Sequence, residues 1–411
     1  MSMFFDQLTI ILGSITLLLA VIAPFCSPFY RFRKIVKRLQ SSHLQEKESA
    51  ALDSFQDENS AQEPSKACSI PTKTSVPITV LLTVHDQAKE LEMHLSSFLS
   101  QEFDNEFQVV VVAEQGDSET EDVLKRYEND SHLYATFIPS SSRYMSKKKL
   151  AVTLGVKAAK YEWIIMTDAG CTPVSPYWLQ CMSKACNENN KLVLGYSNYT
   201  AETADFRRLE QLYTELYLMR KAENATAYRT NSANLAFRKS MFLQGEGYRG
   251  NLHLLRGEYD FIVNKYADEG SSALMMEQDA WIIEDEPLQK KWLNKHLFYQ
   301  ETRKYLNRST PMRMLFNLDT ILLHTSYLFI LAMMVYGGVL MNYTLLLTAV
   351  VSLFLTVILR VRFAKRTLTY FLADIALWKV IPFEISMMWR NLSYHLRYVR
   401  ADKNDFTSHK L

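Results

Sequence analysis

The sequence predicts an α/β domain built on a mostly parallel sheet, carried between hydrophobic segments at the two ends of the chain. Three observations predict it. Between Ile78 and Gly195 short apolar runs alternate with amphipathic stretches, the pattern of a parallel sheet with covering helices. The run Trp163–Met166 reads as a fully buried strand that delivers one carboxylate, Asp168, to a turn at its carboxyl end. Just upstream, residues 146–159 read as a helix whose first turn carries Lys147, Lys148 and Lys149. Ligands of open α/β sheets bind outside the carboxyl ends of the strands, so a carboxylate beside these lysines suits a substrate with phosphates and a divalent ion. Either piece alone reads as an ordinary strand end or a solvated helix start; the two together read as a site.

Taken in order, the alternation predicts strand Ile78–Val84, helix Leu91–Gln101, strand Phe107–Val112, a helix around Glu119–Tyr127, strand Ala135–Ile138, helix Lys149–Ala159 and strand Trp163–Thr167. From Thr200 to about Leu306 the pattern turns more helical and more polar, with a long helix Glu202–Arg220, a short strand Asn234–Arg238 and a helix Phe261–Glu269. Glycine is sparse, and no GxGxxG or Walker pattern occurs, which weighs against a dinucleotide-dependent oxidoreductase or a P-loop NTPase. The formal net charge of +2 gives no pointer to nucleic acid.

The ends read as membrane segments. Leu8–Pro24 is almost uninterruptedly apolar and is followed by Arg31, Arg33, Lys34, Lys37 and Arg38. A signal peptide carries its basic residues before the apolar core, so an uncleaved anchor with its basic side in the cytoplasm is expected. Leu315–Leu340 and Tyr343–Leu359 read as a hairpin flanked by Arg303, Lys304, Arg308 and Arg313 before it and by Arg360, Arg362, Lys365 and Arg366 after it. Both flanks being basic, the hairpin starts and ends in the cytoplasm. A third segment, Leu372–Trp389, contains Asp374, Lys379 and Glu384 and suits a helix lying in the interface. Residues from about Gln40 to Ser75 are polar enough to be a flexible tether. The expected divisions are an anchor at 1–30, a basic juxtamembrane segment and linker at 31–76, the two halves of the α/β domain at 77–195 and 196–306, and a membrane hairpin with interfacial helix at 307–411. The five cysteines have no metal spacing, and their odd number favours free thiols.

Several stretches together resemble the inverting family 2 glycosyltransferases, which have a GT-A fold. Pro77–Gln87 with Leu91, Leu95 and Gln101 resembles the family's opening strand, polar turn and helix. Val109–Glu119 is similar to its second strand and acidic nucleotide-binding turn. The lysine cluster and Thr167–Gly170 fall where the family has its GK helix and DxD motif, and Ser232–Arg238 resembles the acceptor-side element. The likeness covers roughly half of the chain, from Pro77 to about Leu306.

The resemblance implies a role for each motif residue. His85, Asp86, Gln87, Glu114 and Asp117 would bind the donor's base and ribose, although each acid could instead cap its following helix. Asp168 would hold Mg²⁺ or Mn²⁺ on the donor diphosphate, assisted by Lys148 and Lys149. Gly170 stands where the family commonly has a second metal-binding Asp. The catalytic base falls in the stretch Arg256–Phe261, where both Glu258 and Asp260 match the family's ED motif in part and Asp260 is preferred. Asn234 and Gln300 fall on the acceptor side, and Arg303 matches the arginine of a degenerate QxxRW segment near phosphate.

These readings predict a multi-pass membrane glycosyltransferase with a cytoplasmic catalytic domain. It would move a sugar from a UDP- or GDP-linked donor to a lipid-linked or membrane-proximal glycan. Two alternatives stand beside it: a catalytically weak relative serving as a scaffold in a glycan-assembly complex, and a processive exopolysaccharide synthase. Oligomeric state, sugar and acceptor are not legible.

Overall fold

The computed structural model describes residues 7–35, 37, 75–139, 146–224, 226–308 and 310–407. The expected tether lies, up to Thr74, outside the described residues. The chain divides into two compact units. One comprises Met1–Val36, Ala204–Tyr217 and Arg308–Leu396; the other comprises Lys37–Thr203, Leu218–Asn307 and Arg397–Leu411.

The second unit is built on a seven-stranded sheet in the order β3-β2-β1-β4-β8-β6-β9. Its strands are β1 (Ile78–Thr83), β2 (Phe107–Glu114), β3 (Leu133–Ile138), β4 (Trp163–Asp168), β6 (Leu192–Gly195), β8 (Leu235–Arg238) and β9 (Ser272–Met275). β8 runs antiparallel to both β4 and β6, and the other pairings are parallel. The register sets Thr83 opposite Val112 on one side and Asp168 on the other. The carboxyl ends of β2, β1 and β4 therefore open side by side, as the strand pattern predicts. A small second sheet, β5 (Cys171–Pro173), β10 (Ile282–Glu284) and β7 (Ser197–Tyr199), follows from the turn after Asp168.

Both faces of the large sheet are covered, which is why its central strands are buried at successive positions rather than at alternate ones. Val80, Leu82, Val109, Val111 and Ile165 pack under α3 (Ala88–Leu99) and α6 (Trp178–Ser183), with Leu95, Phe98 and Trp178 fully buried. Leu81, Val110, Val112, Ile164 and Met166 pack under α5 (Lys147–Ala158) and α9 (Glu258–Tyr266). Each such side chain contributes roughly 1.5–3 kcal/mol of burial. α5 lies close because Gly155 has no side chain: a Cβ there would stand 2.2 Å from Leu81 Cδ1. Ser146 caps α5 by accepting from the Lys149 N–H.

The first unit is helical. It contains α1 (Gln7–Cys26), α2 (residues 28–35), α11 (Thr310–Val339), α12 (Tyr343–Tyr370) and most of α13 (Val380–Arg400). Gln7–Cys26, Asn317–Val339 and Tyr343–Tyr370 are long and apolar enough to cross a membrane. Asn342 accepts from the Leu345 N–H to start α12 and donates to Thr9 Oγ1 at 2.6 Å, tying the hairpin turn to α1.

Two expectations need correcting here. Arg360, read as part of the basic flank, is fully buried. Its guanidinium meets Asp319 at 3.1 Å and Glu384 at 3.1 Å and donates to the Ala23 carbonyl at 3.4 Å. A charge among apolar helices is tolerated only when paired, and Tyr213 supplies a further bond to Asp319. The third apolar segment is not one element from Leu372 to Trp389: α13 begins at Val380 and runs on to Arg400. Ahead of it, Lys379 pairs with Asp205 at 2.5 Å, and Arg208 donates to the Asp374 carbonyl at 2.8 Å.

Breaking a buried pair from one side strands the remaining charge. Arg360→Leu, leaving Asp319 and Glu384 without their cation, is expected to destabilise the fold by about 3–5 kcal/mol. Thermal unfolding in detergent checks it, and an unchanged midpoint would show that the pair does not hold these helices together.

Candidate active site

The site forms at the carboxyl ends of β1, β2 and β4, and four consecutive residues at the start of α5 connect its parts. Ser146 Oγ donates to the Leu255 carbonyl at 2.9 Å. Lys147 donates to Glu114 Oε1 at 2.5 Å, at the end of β2. Lys148 donates to Asp168 Oδ1 at 2.7 Å, at the end of β4. Lys149 turns the other way and donates to the carbonyls of Asn251 and Leu254, both at 2.6 Å. A helix spreads successive side chains about 100° apart, so neighbouring lysines reach different places.

The charge balance follows from these contacts. Burial works to raise the Asp168 carboxyl, but the Lys148 ammonium outweighs it and holds the group below its ordinary range. Burial likewise opposes the Lys148 charge, and Asp168 with Glu258 more than offsets it. Lys149 has no such carboxylate in contact, and burial pushes it down to about 8.

The base motif meets this centre through an unexpected residue. α9 starts after Gly257, whose φ of 97° is a left-handed turn that glycine adopts without strain. Tyr259, between the two candidate bases, donates from its hydroxyl to Asp168 Oδ1 at 3.1 Å. Glu258 and Asp260 flank it, both buried. Burial pushes the Asp260 carboxyl up to about 6, against the opposing pull of Arg229, whose guanidinium is 3.6 Å away. Arg229 is held flat over the Tyr299 ring at 4.1 Å. Glu258 Oε1 accepts no hydrogen bond.

The remaining candidates divide. His85 is exposed, 3.4 Å from Glu114 and 3.7 Å from Asp86, and Asp86 sits at a left-handed φ of 52°. Gln87 precedes α3 and points its amide at Gly170. Asp117 serves as the cap of α4 (Ser118–Lys125), accepting from the Thr120 N–H at 3.2 Å and hydroxyl at 2.6 Å. Asn234 is wholly buried and donates to the carbonyls of Ala280 and Tyr196, filling the space above Gly195. Gln300 is buried in α10 (Gln289–Thr302), and Arg303 is exposed at its end. The geometry thus brings together His85, Glu114, Lys148, Asp168, Glu258 and Asp260, while Lys149, Asn234 and Asp117 are committed to backbone or capping bonds.

Four residues to which sequence reasoning gave no role of their own also line the candidate site: Lys147, Tyr259, Arg229 and Asp285. Lys147 and Tyr259 lay inside motifs already singled out. Arg229 and Asp285 lie far from those motifs in sequence and gave no local signal. Asp285 extends β10 by donating its N–H to the Gly170 carbonyl at 2.9 Å, and its carboxylate receives His94 Nε2 at 2.9 Å.

Among the described residues no group of three or more His, Cys, Asp or Glu side chains could hold a metal ion alone. An ion bound on substrate phosphates needs only one or two carboxylates. Asp168 is already matched with the Lys148 ammonium, and a Cβ on Gly170 would enter a polar cradle 3.4 Å from Asp285 Oδ2 and 3.7 Å from Gln87 Nε2. The residues fit that smaller demand.

Part of the chain matches a known family. Residues 79–244 match the family model described as glycosyl transferase family 2. The chain carries a family 2 glycosyltransferase domain. The matched span runs from β1 through α8 (Lys239–Gln244) and includes the α5 lysines and Asp168. The mannosyltransferase PcManGT from Pyrobaculum calidifontis, solved in complex with GDP-Man and Mn²⁺, is 16% identical, with 94% of this chain and 99% of that chain covered at a TM-score of 0.50. At that identity the likeness establishes the GT-A fold of the glycosyltransferase. S. aureus TarS 1–349 in complex with UDP-GlcNAc is 13% identical over 60% of this chain and 66% of that chain, with a TM-score of 0.38. No curated protein sequence gives a match.

The placement of Lys149 predicts a structural role. Its lowered folded value means the folded state binds fewer protons than the unfolded chain between about pH 8 and the ordinary value of 10.5. Stability attributable to this group therefore rises across that window, by about 3 kcal/mol. Denaturant unfolding at pH 7.5 and 10 checks it by comparison with Lys149→Met, in which this part of the pH dependence is expected to vanish. An identical pH dependence in the two proteins would contradict a Lys149 ammonium that burial disfavours.

Proposed function

We propose that this glycosyltransferase moves a sugar from a nucleoside-diphosphate donor to a hydroxyl of a lipid-linked or membrane-proximal glycan, with inversion at the anomeric carbon. The observation that carries this reading is the Tyr259–Asp168 hydrogen bond. It places the two candidate bases of α9 one residue either side of a side chain that touches the donor carboxylate. In this reading donor and acceptor groups share one centre, as a single displacement requires.

In this reading the diphosphate lies over Lys147, Lys148 and Asp168, with the base and ribose toward His85, Gln87 and Glu114. A bound Mg²⁺ or Mn²⁺ would supply charge stabilisation for the departing diphosphate, with Asp168 as its protein ligand; PcManGT, of the same fold, was solved with GDP-Man and Mn²⁺. Asp260 takes the proton from the acceptor hydroxyl while that oxygen bonds to the anomeric carbon. The bond to the diphosphate breaks on the opposite face, and its electron pair leaves on phosphate oxygen beside the lysine ammonium groups. A carboxyl near 6 is ionised at neutral pH yet more basic than an exposed one. Glu258, facing Lys148 and Lys149, is the second candidate base.

The three apolar helices support a membrane-resident enzyme, and the basic residues after α1 and around the hairpin support a cytoplasmic catalytic face. Nucleotide sugars are available there, and a lipidic acceptor gives the membrane helices a purpose. One observation favours the scaffold reading as well: Asp168 already has two internal partners, Lys148 and Tyr259, which donor binding must rearrange.

A donor screen separates the two. Detergent-purified protein with UDP- and GDP-sugars, in Mg²⁺, Mn²⁺ or EDTA, is expected to release UDP or GDP and to lose that activity in Asp168→Ala. Asp260→Asn is expected to lower turnover about 10²–10⁴-fold. The wild-type rate is expected to rise with pH through about 6 and to level above it, because the base works only when deprotonated. Nucleotide binding with no hydrolysis or transfer under any condition would favour the scaffold, and a full rate in Asp260→Asn would move the base to Glu258.

A further inference from the structure

The turn after Asp168 lacks a second carboxylate of its own, and the fold brings one there from a distant part of the chain. Gly170, two residues on, has no side chain. A Cβ at that position would meet nothing closer than ordinary contact: Asp285 Oδ2 at 3.4 Å, Gln87 Nε2 at 3.7 Å and Glu90 Cγ at 3.8 Å. The space beside the turn is therefore a polar cradle with the Asp285 carboxylate at its edge.

Three features fix that carboxylate in place. β10 pairs antiparallel with β5, setting Glu284 opposite Cys171, and the Asp285 N–H continues the ladder to the Gly170 carbonyl at 2.9 Å. His94 of α3 reaches Asp285 Oδ2 through Nε2 at 2.9 Å, and its other ring nitrogen bonds the Thr172 hydroxyl at 2.5 Å. A carboxylate oriented by an imidazole that is itself held by a second group is the kind of outer support that metal ligands have. The Asp285 side chain nevertheless remains about a third exposed, so a face of it is open to a ligand.

Resting on the donor reading above, we infer that Asp285 supplies the second carboxylate of the donor-diphosphate cation site, in place of a side chain at position 170. Asp168 comes from the end of β4 and Asp285 from the end of β10, so the acidic pair is assembled by the register of the small sheet rather than by adjacent sequence. His94 and Thr172 are positioning residues for Asp285. The ligand class is a divalent cation bound jointly with a nucleoside diphosphate, since two carboxylates and phosphate oxygens together satisfy Mg²⁺ or Mn²⁺.

The test measures Mn²⁺ binding rather than turnover. Free Mn²⁺ is followed by electron paramagnetic resonance as the detergent-purified full chain is titrated with saturating GDP or UDP, alongside calorimetry of the same nucleotides in EDTA. Asp285→Asn is expected to weaken Mn²⁺ binding about 10–100-fold while leaving nucleotide affinity in EDTA unchanged, which also shows that the variant is folded. Adding Gly170→Asp to Asp285→Asn is expected to restore Mn²⁺ affinity, because the cradle admits the new side chain. Equal Mn²⁺ affinity in wild type and Asp285→Asn would overturn the inference, as would a wild type that binds nucleotide without Mn²⁺; both leave the donor reading standing. A wild type that binds neither GDP nor UDP would overturn the donor reading and this inference with it.

Discussion

The amino end of α5 is the joint on which the site depends. Ser146, Lys147, Lys148 and Lys149 bond in turn the Leu255 carbonyl, the end of β2, the end of β4, and the carbonyls of Asn251 and Leu254. Two of these links carry charge to the strand ends, and two fasten the loop that leads into α9. The loop is braced from a further side by the C-terminal segment, where the Leu255 N–H donates to the Phe406 carbonyl and Leu254 bridges Thr407. Because α5 is seated on β1 through Gly155, the same packing that builds the core sets the distance between donor acids and base motif.

The electrostatics divide the labour. Glu114 and Asp168 are each matched by one lysine, so the strand ends carry local dipoles rather than bare negative charge. In the proposed function, a diphosphate arriving there would exchange one set of anionic partners for another and gain fixed cations at no cost of gathering them. Asp260 is treated differently. Its guanidinium partner stands 3.6 Å away and is itself stacked on Tyr299, so burial dominates and the carboxyl is made more basic. Two acids two residues from each other, Glu258 and Asp260, thus sit in different surroundings on one helical turn.

Much of this was legible in the sequence. Continuous apolar runs give the central strands because both sheet faces are covered, and Ser146 ahead of three lysines marks the start of α5. Asp168 at a strand end marks the site for the same reason. What stayed hidden depends on pairing between distant segments. Nothing near Gly170 points to Asp285, which arrives through the ladder between β5 and β10. Arg229 lies on a connecting stretch after α7 (Asp205–Asn224), and only the packing of α9 and α10 gives it a role. The resemblance assigns Lys149 and Asn234 to ligand binding, yet buried carbonyls hold both amine and amide. Arg360 reads as a flanking charge by position and is buried because Asp319 and Glu384 converge on it.

Hydrogen–deuterium exchange with and without a nucleoside diphosphate tests most directly whether the α5 joint is the donor site. Slowed exchange on GDP or UDP binding is expected to concentrate in the turns after β1 and β2, in residues 146–149 and in the first turn of α9. Protection confined to other segments, or no change with either nucleotide, would contradict it.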